Sequence, residues 1–188
     1  MATEALAPLI AAMRDLTGWL ASQSSPGMII GGVAASILGR PRATRDIDAL
    51  VLVPEEQWGA FLLSAGTFGF EARVAGALEF ANRTRVLLLR HKASSVDLDV
   101  SLGILPFELE AVARRQTVQI AGIVIPITSP EDLVIMKAVA HRPRDMADIE
   151  SVLAARPDLD RGRIRFWVEQ FASALDSPEL ATDLERLL

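Results

Sequence analysis

Cysteine is absent from the 188-residue chain and histidine occurs only twice. The first absence excludes disulfides, thiolate metal ligands and a cysteine nucleophile. The second leaves too few imidazoles for a histidine-rich zinc site. Long apolar runs are also missing, and none reaches the roughly 20 residues a membrane span needs. The N-terminus carries Glu4 and Asp15 among its alanines and leucines, without the basic start and apolar centre of a secretory leader. A cytoplasmic protein with no membrane partner is the expectation. Acidic residues outnumber basic ones, for a net charge of −5. The whole-molecule field therefore does not favour a long nucleic-acid backbone.

What is present is enough apolar material for a core, 51% of residues, with an ordinary 23% charged. The length suits one domain, or one with a small appendage. Helical spacing of Leu6, Leu9, Ile10, Met13, Leu16 and Leu20 predicts a helix over 4–21. A Ser-Ser-Pro-Gly break precedes a short strand at 28–30, which ends on Gly31-Gly32. Helical turns at 33–38 and a loop at 39–44 lead to a strand at 46–53. Pro54 then opens a helix that runs to 65.

Further strands are predicted at 68–74, 84–90 and 95–102, with no assignment for the connection after the first. A helix at 107–115 and a hairpin at 117–127, turning at Ala121-Gly122, complete the first half. Beyond 128 the pattern is helical only: 129–141, 144–155 and 161–175. Ser129 reads as an N-cap, with Pro130 at the first helical position and Asp132 at the capping-box position. The expectation is an α/β (α+β) domain over 1–128 and a helical domain over 129–188, packed around a cleft. Trp58, Phe166, Trp167 and Phe171 read as core. His91 reads as part of a solvated basic strand end, and Arg161, Arg163 and Arg165 as a charged helix face.

Chemistry concentrates in Asp46-Ile47-Asp48. Residues i and i+2 of a strand face the same side, their Cα atoms roughly 6.5 Å apart, so both carboxylates can approach one divalent cation. Upstream, Gly31 and Gly32 allow a backbone turn to offer N–H groups to a phosphate at a helix start. The alternative is an exposed pair balanced by Arg42 and Arg45. A second strand repeats the device, with Asp97 and Asp99 on one face and Val96, Leu98 and Val100 on the other. If the two strands are neighbours, three carboxylates can gather around metal ions. Oxygen-only ligands favour Mg²⁺ or Mn²⁺, and the third carboxylate would help deprotonate an attacking hydroxyl.

This order of parts resembles the nucleotidyltransferase superfamily with the polymerase-β-like fold. The matching residues are Ile30-Gly31-Gly32, a spacer from Val33 to Arg45, Asp46-Ile47-Asp48, and Val96-Asp97-Leu98. The stretch Arg42-Ala43-Thr44-Arg45-Asp46-Ile47-Asp48 is similar to the AbiEii/AbiGii toxin-type branch, as is Lys137 with Arg142-Pro143-Arg144-Asp145-Met146-Ala147-Asp148. The resemblance implies a mixed sheet flanked by helices, followed by a small helical bundle. It implies Mg²⁺ or Mn²⁺ on Asp46, Asp48 and Asp97, with Asp99 also satisfying the third-acid pattern. It further implies an NTP held by Gly31, Gly32, Thr44, Lys137, Arg144 and Asp145.

A nucleoside monophosphate would then pass to an RNA (tRNA), protein or small-molecule acceptor, and a toxin–antitoxin system would add an antitoxin partner. A non-catalytic nucleotide-binding module of the same fold is the alternative. In the helical segment, Lys137 lies among Ile135, Met136, Ala138 and Val139, which also suits a snorkelling lysine. Pro143 is expected to separate two helices.

Overall fold

The computed structural model describes residues 2–188, with side chains from Leu6 onward. It is a mixed α/β structure whose seven-stranded sheet has the order β3-β4-β5-β2-β1-β7-β6. The strands are β1 (Gly27–Ile30), β2 (Asp46–Val51), β3 (Phe70–Ala72), β4 (Val86–His91), β5 (Asp97–Leu102), β6 (Gln116–Ile120) and β7 (Ile123–Ile127). β2 runs parallel to β5, and β1 parallel to β7; every other pairing is antiparallel.

Two compact units are present. The sheet unit comprises residues up to Val33 and Thr44–Ile127; the helical unit comprises Ala34–Ala43 and Thr128–Leu188. Residues 34–43 thus cluster with the later helices rather than with the sheet.

In the sheet unit, the central strands alternate as a pleat requires. Ile47, Ala49 and Val51 of β2, and Leu98, Val100 and Leu102 of β5, are buried. Each large one of these stabilises the fold by about 2 kcal/mol. The helix α1 (Ala2–Ser22) contributes Trp19, fully buried and stacked at 4.3 Å on Phe61 of α3 (Trp58–Ala65). The Trp19 indole N–H donates to Ser64 Oγ at 2.8 Å. Trp58 is core as expected, its Nε1 donating to Val53 O at 2.9 Å.

His91 corrects the expectation of a solvated edge. It is buried, lies 5.2 Å from Phe70, and places its ring nitrogens 2.8 Å from Asp15 and 2.7 Å from Ser94. The unassigned connection forms a helix, α4 (Ala77–Thr84), and α5 (Pro106–Ala113) follows β5.

The helical unit is built on α6 (Pro130–Ala140), which contacts α7 (Pro143–Ala155), α8 (Arg161–Ala174) and α9 (Glu179–Glu185). Ser129 caps α6 by accepting the Asp132 N–H at 3.1 Å, and the buried Asp132 carboxylate takes Arg163 Nε at 2.8 Å. Arg165 pairs with Glu185 at 2.8 Å. Phe166, expected in the core, is 54% exposed. The buried stripe of α8 is Ile164, Val168 and Ala172 at i, i+4, i+8, which leaves position 166 off that face.

Candidate active site

Strand register brings the paired aspartates together. Asp46 lies opposite Asp97, and Asp48 opposite Asp99, in the parallel β2·β5 ladder. Cross-strand partners share a face, so all four carboxylates project from the same side of the sheet. The row continues outward. Asp99 faces Leu88, and the Arg73 N–H donates to Leu88 O at 2.9 Å; Asp97 faces Arg90, which in turn faces Glu71. Two rows of charge therefore cross the sheet, Arg73–Leu88–Asp99–Asp48 and Glu71–Arg90–Asp97–Asp46.

The two arginines balance part of this charge. Arg90 Nε donates to Asp97 Oδ1 at 2.7 Å, and Arg73 Nη1 donates to Asp97 Oδ2 at 3.1 Å. The other terminal nitrogen of Arg73 donates to Asp99. The hydrogen bond from Arg90 holds the Asp97 carboxyl below the usual carboxylate range, against a smaller opposing effect of burial. Asp99 shifts the opposite way. Burial pushes its carboxyl up, Arg73 opposes, and the neighbouring charges of Asp48, Asp46 and Asp97 add to the rise.

Asp46 and Asp48 are held from the other side. The Thr44 hydroxyl donates to Asp46 Oδ1 at 2.9 Å, and the Gly32 N–H donates to Asp48 Oδ2 at 3.3 Å. Gly31 and Gly32 open α2 (Gly31–Leu38) directly after β1. Gly31 adopts φ +62°, and a Cβ there would stand 1.8 Å from Asp48 Oδ2. Only glycine allows the backbone to approach the carboxylate so closely.

The sheet unit thus gathers Gly31, Gly32, Thr44, Asp46, Asp48, Asp97 and Asp99. Lys137, Arg144 and Asp145 belong to the helical unit. There the buried Lys137 ammonium lies 2.7 Å from Asp145 and 2.9 Å from Asp148. Arg42 grips Asp148 with two nitrogens, at 2.7 and 2.9 Å, and Arg142 Nε takes Asp145 at 2.6 Å. The result is an alternating chain, Arg42–Asp148–Lys137–Asp145–Arg142, across the α6/α7 junction that Pro143 begins. Burial alone would raise both aspartates. Hydrogen bonds from Arg142 and Lys137 to Asp145, and from Arg42 and Lys137 to Asp148, outweigh it and hold both below the usual range. Arg144 instead lines an open cavity of about 520 Å³ with Arg40, Arg42, Asp148 and Ser151, among others.

Sequence reasoning missed Arg73 and Arg90. The signal was present, since Arg73 falls two residues after Glu71 on one strand face and Arg90 two after Leu88. Their partners are visible only once the strand order is known. Among the described residues, no three carboxylate or imidazole groups stand close enough to hold a metal ion as the side chains lie. Nor is any described helix long and apolar enough to cross a membrane.

Comparison with known proteins places this fold. A solution structure of the antibiotic-resistance factor ANT(2'')-Ia matches with a TM-score of 0.57 at 18% identity, over 99% of this chain and 98% of that one. An antigenic nucleotidyltransferase-like protein from Paracoccidioides brasiliensis matches with a TM-score of 0.55 at 15% identity, over 93% and 90%. The lincosamide antibiotic adenylyltransferase LnuA, lincomycin-bound, gives 0.51 at 13% identity, over 74% and 93%. At these identities the likeness is one of fold. No curated protein sequence matches. The family described as nucleotidyltransferase of unknown function (DUF6036) matches residues 4–181. With nearly its whole length covered, the chain belongs to the DUF6036 nucleotidyltransferase family.

Proposed function

We propose that the chain transfers a nucleoside monophosphate from an NTP to a hydroxyl of a small molecule in the cytoplasm, assisted by Mg²⁺ or Mn²⁺. The observation that carries this reading is the β2·β5 register, which sets four carboxylates on one face beside Gly31 and Gly32. The donors fit a hard divalent cation, being all oxygen and set on one face of two adjacent strands. Asp46, Asp48 and a third carboxylate would hold it. Asp99 suits the third place better than Asp97: it lies opposite Asp48 and is held by one arginine rather than two. When bound, the cation would neutralise the nucleotide phosphates and the departing pyrophosphate.

The chain's own residues have separate tasks. Gly31 and Gly32 let phosphate oxygens approach the backbone, and Thr44 fixes the orientation of Asp46. The acceptor oxygen attacks the α-phosphorus and the bond from that phosphorus to the pyrophosphate oxygen breaks. The hydroxyl proton passes to Asp99. Lys137 and Asp145, whose charges meet each other and Asp148, we read as structural. Arg144, open on its cavity, is the one of the three free to meet a phosphate.

Two similar folds are named for antibiotics, the antibiotic-resistance factor ANT(2'')-Ia and the lincosamide antibiotic adenylyltransferase LnuA, and one ANT(2'')-Ia structure is in complex with adenylyl-2''-tobramycin. A net charge of −5 suits a small cationic acceptor of that kind. The stretch from Arg42 to Asp48 favours a second reading, a toxin of the AbiEii/AbiGii type with a tRNA or protein acceptor and a neutralising antitoxin. Incubating the protein with labelled NTPs and Mg²⁺ against aminoglycosides, tRNA and a protein extract separates the two. Label on an aminoglycoside supports the first reading and label on tRNA or protein the second. Mg²⁺-dependent NTP binding with no transfer to any of them would leave a non-catalytic module.

A further inference from the structure

Four carboxylates share one sheet face, yet no three of them gather as a metal site would require. Arg73 lies against two of them, Asp97 and Asp99. It follows the short edge strand β3, and its backbone is pinned by the bond to Leu88 O. From there its two terminal nitrogens take one oxygen each from Asp97 and Asp99. The guanidinium therefore bridges Asp97 and Asp99 on the sheet face that also carries Asp48.

We propose that Arg73 is the exchangeable counter-ion of the carboxylate cluster. It occupies Asp99 until a divalent cation arrives, and the cation draws Asp46, Asp48 and Asp99 together only as the guanidinium leaves Asp99. This rests on the reading of those carboxylates as the metal site.

Three observations favour exchange over a fixed structural pair. The Arg73 side chain is 24% exposed and that of Asp99 42%, and an ion pair so open to water is weak. Arg73 Nε is buried without a hydrogen-bond partner, so the resting position leaves one donor unsatisfied. A polar cavity of about 230 Å³, lined by Glu71, Ala72, Arg73 and Arg90, lies beside the side chain and gives it room to move. Asp97, held also by Arg90, remains as an anchor for the displaced guanidinium, and Glu71 lines the same space.

Mn²⁺ binding followed by electron paramagnetic resonance tests this without turnover, using wild type, Arg73→Gln, Arg73→Lys, Arg90→Gln and Asp48→Asn. Arg73→Gln should bind Mn²⁺ about tenfold more tightly than wild type. Arg90→Gln removes the same charge from the neighbouring row but leaves Asp99 untouched, and should shift affinity by less than about threefold. Arg73→Lys keeps the charge and should stay near wild type. Equal affinities for wild type and Arg73→Gln, or equal gains in Arg73→Gln and Arg90→Gln, overturn the proposal and leave the metal site standing. If folded wild type and Arg73→Gln both fail to bind, or Asp48→Asn binds as wild type does, the metal reading itself is lost. Should Arg73→Gln unfold without metal, Mn²⁺ must restore its melting transition; a chain that stays unfolded in saturating Mn²⁺ contradicts the exchange.

Discussion

Gly31 shows how much of the site depends on one missing atom. Its left-handed backbone and the 1.8 Å approach to Asp48 Oδ2 leave no place for a methyl group. Gly31→Ala should lower stability by about 2–3 kcal/mol in urea titrations, from the positive φ together with the clash. Transfer activity should fall further than stability does, because Asp48 is the group displaced. At this scale the sequence displays the glycine pair and both Asp-x-Asp motifs, since each is a matter of spacing along one strand. It hides Arg73 and Arg90, whose partners are set by register between strands far apart in the chain. It also misleads at His91, where the flanking Arg90 and Lys92 suggest water, yet the ring is fixed between Asp15 and Ser94.

Among elements, the strands with strict alternation were the easiest to read. β2 and β5 bury Ile47, Ala49, Leu98 and Val100 behind the aspartates, which fixes the register of the motif residues. Leu98→Ala should therefore cost about 2–5 kcal/mol and weaken the site by loosening that ladder, as thermal denaturation and Mn²⁺ titration would record. The helix α4 is hidden in the sequence because its buried positions are only Ala77 and Ala81, a stripe too small to register as hydrophobic periodicity. On α8, the aromatic character of Phe166 suggests burial, but helical phase decides it and puts Phe166 on the exposed side.

The α6/α7 junction carries a prediction of its own. Asp145 and Asp148 are held below their ordinary range by Lys137 and the two arginines, so folding binds their protons less well than the unfolded chain does. Their stabilisation is complete above the unfolded value of 3.8 and disappears as pH falls through their lower folded values. Lys137→Met should destabilise the helical unit by about 3 kcal/mol at neutral pH, because it leaves two buried carboxylates with one partner fewer. Its acid unfolding should begin at higher pH than in wild type. A series of melting curves from neutral to acid pH measures both effects.

For the molecule as a whole, the sequence pattern changes from mixed to purely helical near residue 128, and Thr128–Leu188 make up most of the second unit. What the pattern does not reveal is that residues 34–43 cluster with those later helices. Such a contribution depends on contacts between segments a hundred residues apart, and hydrophobic periodicity is local. Ligand linkage gives a whole-molecule test: MgNTP at 100-fold its dissociation constant should stabilise the protein by about 2.7 kcal/mol. Asp48→Ala should show little of that gain.

The most direct measurement follows radiolabel from each α-labelled NTP in Mg²⁺ onto the mixed acceptors, comparing wild type with Asp48→Ala of matched circular dichroism. Acceptor labelling by wild type and its loss in the variant is the predicted result. Equal labelling by both proteins would contradict the assignment of chemistry to the paired carboxylates.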